Sequence, residues 1–231
     1  MSTLADRIEI GNPTQPHCAT LLLLDTSGSM SVEGKITALN EGLRTFKEEI
    51  TNDDLASKRV DLAVITFGTE VSVVHEFSTI EDFDPPTLQA DGSTPMGQAI
   101  MLAADLVEKR KQQYKARGID YYRPWIFMIT DGEPTDMQPG DARWTEVRQL
   151  VHEGESNKKF MFFAVAVGTA NTELLSQIAP PNRGAVRLKG TKFKEMFQWL
   201  SKSQAKVSAS KVGEQVTLET PMASGWGQLS V

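Results

Sequence analysis

The sequence is short of cysteine and of long apolar runs. Cys18 is the single cysteine among 231 residues, so no disulfide can form within the chain, which fits a reducing compartment. No segment approaches the ~18 consecutive apolar residues that a membrane-spanning helix needs, and the N-terminus lacks the apolar run of a signal peptide. We therefore expect a cytoplasmic protein that makes no contact with a membrane.

Positive charge is also in deficit. The chain has 24 Lys and Arg against 30 Asp and Glu, which gives a net charge of -6. A nucleic-acid partner requires a basic surface, so the sequence argues against nucleic acid. His17, His75 and His152 are scattered, without the spacing of metal ligands. A hydrophobic content of 40% is ordinary for a globular protein with a large core.

Short apolar runs alternate with amphipathic stretches along most of the chain. The apolar runs predict strands at 19–24, 60–67, 71–77, 125–130, 160–167 and 185–188, the last at an edge of the sheet. Apolar residues at helical spacing predict helices at 36–50, 97–117, 144–155, 172–179 and 193–205. This alternation predicts an α/β fold with a mostly parallel sheet.

Three segments fall outside this pattern. Residues 1–18 are polar and are predicted to form an N-terminal arm, and residues 78–95 form a loop long enough to indicate a functional or mobile segment. Residues 207–231 lose helical spacing and are predicted to be a C-terminal tail. Either Trp226 packs the tail on the domain, or the tail is free to meet a partner. Residues 19–206 remain as one domain.

Two of the predicted buried strands end abruptly in an aspartate, at Asp25 and at Asp131. In open α/β sheets, ligands bind beyond the carboxyl ends of the strands. Ser27 and Ser29 alternate with Asp25, and all three side chains can face one point if the chain curls at Gly28. The sequence therefore predicts a ligand site at this edge of the sheet.

The candidate ligands are hard oxygen donors. Carboxylates and hydroxyls, including that of Thr94 in the long loop, suit Mg²⁺, with Ca²⁺ or Mn²⁺ as alternatives. Two aspartates neutralise a divalent ion, and five protein groups leave at least one of about six positions for water or an outside carboxylate. By itself the sequence D-T-S-G-S is more typical of a capped turn than of a metal site. Together with Thr94 and Asp131, it favours a metal site.

At these residues the chain resembles the von Willebrand factor A domain. The metal-ion-dependent adhesion site of that family consists of D-x-S-x-S, a threonine, and an aspartate in T-D-G, which appear here as Asp25, Ser27 and Ser29, then Thr94, then Asp131. The resemblance implies a Rossmann-like fold with a six-stranded sheet of order 3-2-1-4-5-6 and helices on both faces. It also implies that Ser27, Ser29 and Thr94 contact the metal, whereas the aspartates act directly or through water.

The segment 114–136 resembles the bacterial tellurite-resistance TerY-type branch of this family. This resemblance implies a stress or signalling system in which a kinase and a PP2C-type phosphatase are partners. The function expected is a non-enzymatic, metal-dependent module that binds an acidic residue of a partner protein. We predict a partner-binding rim at Met30, Glu133 and Asp136, although solvated loop acids are the alternative interpretation for the last two.

An enzyme is the alternative hypothesis, either a metal-dependent hydrolase or a phosphotransferase with Asp25 as nucleophile. Such phosphotransferases usually carry a second acid two residues after the nucleophile, where this chain has Ser27. The sequence contains no G-x-x-x-x-G-K-[ST] loop, and no histidine or cysteine stands in a catalytic motif. We therefore favour binding over catalysis.

Overall fold

The computed structural model describes residues 10–228, so 1–9 of the predicted arm and 229–231 of the tail lie outside the described residues. The described part contains one sheet of order β3-β2-β1-β4-β5-β6-β7. Its strands are β1 (Cys18–Asp25), β2 (Val60–Phe67), β3 (Val71–Thr79), β4 (Trp125–Thr130), β5 (Met161–Ala166), β6 (Ala185–Leu188) and β7 (Gly227–Gln228). The five inner strands, β2, β1, β4, β5 and β6, pair in parallel. The two outer strands, β3 and β7, are antiparallel to their neighbours. The predicted α/β fold is confirmed.

The last strand corrects two predictions. A sheet of six strands was expected, with 185–188 at its edge, but β7 pairs with Arg187 and Leu188 and covers that edge. A strand of two residues is too short to show an alternating pattern in the sequence. Trp226, just before β7, is fully buried, and its ring centroid lies 5.4 Å from that of Trp199. Of the two alternatives for the tail, the structure has the packed one.

Helices cover both faces of the sheet. They are α1 (Lys35–Thr51), α2 (Ala56–Arg59), α3 (Met96–Ala116), α4 (Ala142–Ser156), α5 (Thr172–Ile178) and α6 (Phe193–Ala209). The boundary predicted after residue 206 falls inside α6, and the arm predicted to end at Cys18 gives its last residue to β1. No helix within residues 10–228 is both long and apolar enough to span a bilayer.

The central strands are buried on both faces, which explains their continuous apolar sequence. In β1, Leu21 and Leu23 pack in the core beneath α3 and α4, whereas Leu22 and Leu24 pack in the core beneath α1 and α6. Parallel pairing sets Leu24 of β1 opposite Ile129 of β4. The residues that follow these two positions therefore emerge side by side at one edge of the sheet.

A buried ionic cluster lies near the other end of β2. The carboxylate of Asp61 accepts hydrogen bonds from Arg110 Nη2 at 2.6 Å and from the Tyr114 hydroxyl at 2.5 Å, and His17 Nδ1 lies 3.2 Å away. Burial by itself raises the pKa of Asp61, whereas His17 and Arg110 lower it. The lowering effects are larger in sum, so the net pKa lies below its ordinary value. This cluster ties α3 and the segment before β1 to the sheet.

Candidate metal centre

Asp25 lies at the carboxyl end of β1 and is fully buried. Its Oδ1 accepts the backbone N–H of Ser27 at 2.7 Å, and its Oδ2 accepts the hydroxyl of Thr130 at 2.5 Å. Burial raises the pKa of the Asp25 carboxyl, and these hydrogen bonds offset only part of the effect. The side chain is thus held in place, in surroundings where a nearby cation would stabilise its ionised form.

The two serines connect this strand end to that of β4. Ser27 Oγ lies 3.1 Å from Ser29 Oγ, and the Ser29 hydroxyl donates to Asp131 Oδ1 at 2.6 Å. The chain turns here into a short 3₁₀ segment, Gly28–Gly34. Ser27, Ser29 and Asp131 therefore form a continuous row of oxygen atoms that joins the ends of the two strands.

Thr94 joins the same group from the long loop. A Cβ atom at Gly132 would lie 3.2 Å from Thr94 Oγ1 and 3.9 Å from Asp25 Oδ2. The hydroxyl and the carboxylate thus both lie within 4 Å of the position that a Cβ atom of Gly132 would take. The structure brings all five residues of the predicted site to one edge of the sheet.

The long loop is held by specific hydrogen bonds. The side chain of Asn40 in α1 donates to the carbonyl of Leu88 at 2.9 Å and accepts its N–H at 2.8 Å. Further along, the N–H of Thr94 donates to Thr135 Oγ1 at 3.2 Å, and the N–H of Thr135 donates to the Thr94 carbonyl at 2.9 Å. The position of Thr94 therefore depends on contacts with α1 and with the loop after β4.

The three predicted rim residues have different surroundings. Met30 is fully buried, so it is not part of an exposed rim, and that prediction is wrong because the 3₁₀ turn points its apolar side chain into the core. The carboxylate of Asp136 accepts the N–H groups of Gly97 at 3.0 Å and Gln98 at 2.8 Å, at the start of α3. Glu133 is exposed, and it remains a prediction as a contact residue.

Lys35 is a member of the site that the sequence did not reveal. Its Nζ lies 2.7 Å from Asp131 Oδ2 and 3.4 Å from the carbonyl of Ser29, and the side chain is only 8% exposed. A lysine at the start of an amphipathic helix normally reaches solvent, and nothing in its spacing distinguishes this one. Thr130 was also missed, because its hydroxyl lies at the end of a strand that otherwise appears entirely apolar.

The donor set fits a hard divalent cation. Within residues 10–228, no group of three or more His, Cys, Asp and Glu side chains is arranged to hold a metal ion. The two aspartates are instead grouped with the hydroxyls of Ser27, Ser29 and Thr94. Carboxylate and hydroxyl oxygens are the ligands of Mg²⁺, Ca²⁺ and Mn²⁺.

The fold and the grouping of these residues agree with a known family. The family model of the von Willebrand factor type A domain matches residues 21–202, so the chain belongs to this family. A search of curated proteins found no match.

Solved structures resemble the chain in fold. The pilus adhesin SpaC of Lactobacillus rhamnosus GG superposes with a TM-score of 0.64 at 13% identity, covering 86% of this chain and 32% of SpaC. Proximal thread matrix protein 1 from the mussel byssus, with a zinc-occupied MIDAS (metal-ion-dependent adhesion site) motif, superposes with a TM-score of 0.51 at 15% identity, covering 84% of this chain and 48% of the byssus protein. The von Willebrand factor domain of the pilus tip protein Mfa5 from Porphyromonas gingivalis gives 0.57 at 9% identity, covering 88% and 99%. The chain thus spans about a third of SpaC and about half of the byssus protein.

Proposed function

We propose that this domain binds Mg²⁺ through Asp25, Ser27, Ser29, Thr94 and Asp131, and that it uses the bound ion to hold an acidic side chain of a partner protein. The observation that carries this proposal is the convergence of two carboxylates and three hydroxyls from three distant segments at one edge of the sheet. The zinc-occupied MIDAS motif of the byssus protein supports a divalent ion at the matching position.

The proposed ion supplies a Lewis-acidic centre that attracts a carboxylate oxygen. The protein contributes the rest. Ser27 and Ser29 offer neutral hydroxyl oxygens, and the carboxylates of Asp25 and Asp131 supply negative charge. Because the hydroxyls add no charge, the bound cation keeps its attraction for an anionic ligand.

Binding is favoured over catalysis by the surroundings of Asp25. Both of its carboxylate oxygens accept hydrogen bonds and the side chain is fully buried, which is unsuited to attack on a substrate. The von Willebrand factor A fold supports the same choice, since SpaC and the tip protein Mfa5 are components of pili. We therefore propose a non-enzymatic role.

The cellular setting is a further proposal. The resemblance of segment 114–136 to the TerY-type branch supports a bacterial stress response such as tellurite resistance, with a kinase and a PP2C-type phosphatase as partners. The single cysteine, which is buried and free, supports a cytoplasmic location.

The test is capture of partners from the native host by the purified domain, with Mg²⁺ or with EDTA. We expect an acidic partner to bind in Mg²⁺ and to be lost both in EDTA and with Ser29→Ala, since that change removes one hydroxyl ligand and leaves the buried core unchanged. Partner binding that is equal in EDTA would contradict the proposal. Ser156→Ala, the same change at an exposed position at the end of α4, is the matched control.

A further inference from the structure

Lys35 places a positive charge inside the metal site. Its ammonium group forms a buried ion pair with Asp131 at 2.7 Å. The stem of the side chain lies against the turn after β5, where a Cβ atom at Gly168 would approach Lys35 Cε to 3.2 Å. Gly168 has a φ of +56°, a conformation that glycine adopts readily, and its lack of a Cβ leaves room for the lysine.

The ion pair changes the charge of the site. Asp25 and Asp131 would neutralise a divalent cation, but Lys35 adds a third unit of positive charge, which leaves a net charge of +1. An excess charge in a buried site is unfavourable unless an opposite charge compensates it. A carboxylate that enters from outside would restore neutrality.

We infer that Lys35 weakens metal binding by the domain alone and couples the metal to an anionic ligand, so that each strengthens the binding of the other. This inference rests on the proposed function, because it requires the metal to bind at Asp25 and Asp131. Lys35 is then a specificity-determining residue, which makes the site select acidic ligands over neutral ones. The coupling is reciprocal, as linkage requires.

A purely structural role for Lys35 leads to different results. If the ammonium group only oriented Asp131, removing it would loosen the carboxylate and weaken metal binding. Asp131 Oδ1 is already held by the hydroxyl of Ser29 at 2.6 Å, so the carboxylate keeps one anchor without the lysine. Lys35→Met keeps the length of the stem without charge, and Lys35→Gln also keeps a hydrogen-bond donor.

The experiment measures the affinity of the full chain for Mn²⁺ by electron paramagnetic resonance, in sodium acetate and in sodium chloride of equal ionic strength. In chloride, we expect Lys35→Met and Lys35→Gln to bind Mn²⁺ about tenfold more tightly than the unmodified chain, since a unit charge close to the divalent ion is removed. Acetate should raise the affinity of the unmodified chain more than that of either variant. Lys58→Met, an equal change in net charge at an exposed position, should match the unmodified chain.

The two levels of the proposal fail in different ways. Equal or weaker Mn²⁺ binding by both Lys35 variants, or an equal effect of acetate on all proteins, would overturn the inference about Lys35 and leave the metal site standing. Absence of Mn²⁺ binding by every variant, or unchanged binding by Asp25→Asn, would overturn the proposed function and the inference with it. Circular dichroism melting confirms that each variant is folded before its affinity is compared.

Discussion

The hydroxyl of Ser29 donates a hydrogen bond of 2.6 Å to Asp131 Oδ1, although the two residues are 102 positions apart in the sequence. One follows β1 and the other follows β4, and parallel pairing of these strands brings the two ends together. The contact unites the D-x-S-x-S and T-D-G motifs in one site. Groups that touch both motifs should therefore control metal affinity, and groups elsewhere should control only stability.

Gly132→Ala should reduce metal affinity while the fold persists. The added Cβ would approach Thr94 Oγ1 to 3.2 Å, so the threonine hydroxyl must shift by a few tenths of an ångström. Ligand geometry around Mg²⁺ is strict, and we expect a loss of about tenfold in affinity by isothermal titration calorimetry. The matched control is Gly28→Ala: although the chain turns at Gly28, this glycine does not have a positive φ, and its Cβ would meet only the Gly92 carbonyl at an ordinary 3.6 Å. Equal metal affinities for the two variants would contradict the expectation that a Cβ at Gly132 displaces the Thr94 hydroxyl.

Asp136→Ala should destabilise the fold by about 1 kcal/mol, the usual effect of losing a helix cap. Its carboxylate accepts two N–H groups at the start of α3, and the variant leaves both without that partner. Glu133→Ala, at an exposed position of the same loop, should leave the free energy of unfolding almost unchanged. Urea unfolding of both variants checks the difference, and equal stability would show that Asp136 does not cap α3.

Asp61→Asn should destabilise the protein by about 3 kcal/mol at pH 7, because Arg110 would remain buried without its negative partner. The pKa of Asp61 is lowered in the folded state. Its contribution to stability is therefore fully present above the unfolded pKa of about 3.9, and it is lost as the pH falls through the lower folded value. The gap between the two proteins should narrow below pH 4 in urea unfolding. A constant gap from pH 7 to pH 3 would contradict this assignment.

Trp226→Ala should reduce stability by about 3 kcal/mol, since it removes a large buried side chain. Trp226→Phe keeps an aromatic ring against Trp199. It loses one ring of the indole, with an N–H that has no hydrogen-bond partner within residues 10–228, and keeps more buried surface than alanine does, so it should cost less. Neither change should alter metal affinity, because β7 lies at the far edge of the sheet from β1. A tail that is free in solution would make all three proteins equally stable.

Much of this architecture could be predicted because the central strands are buried on both faces and therefore appear as unbroken apolar runs. The strands β2, β4 and β6 have the predicted bounds. The exceptions have physical reasons. β7 is too short to show a pattern, and α2 covers only four residues, Ala56–Arg59. The end of α6 was set too early because residues 207–209 lack an apolar stripe, although the helix persists there.

The ligand residues were predictable because their side chains carry the chemistry of a cation site. Residues that act on the ligands were not. Lys35 becomes informative only once distant segments meet, since a lysine near a helix start is common on protein surfaces. Asp136 was assigned to the rim, and the sequence did not reveal that its carboxylate accepts two N–H groups at the start of α3. Met30 shows a different kind of error. It directly follows the D-x-S-x-S motif in the sequence and was expected on the partner-binding rim, but its side chain is buried in the core.

The central claim is that Asp25 and its neighbours bind a divalent cation, and thermal unfolding in Mg²⁺ or in EDTA tests it most directly. Mg²⁺ should raise the Tm of the unmodified chain, with about 2.7 kcal/mol of stabilisation at a hundredfold excess over Kd. Asp25→Asn should show no response to Mg²⁺. In EDTA it should melt no lower than the unmodified chain, since burial already raises the pKa of this carboxyl and the neutral amide removes a buried charge. An unmodified chain that does not respond to Mg²⁺, or an Asp25→Asn variant that responds equally, would contradict the account.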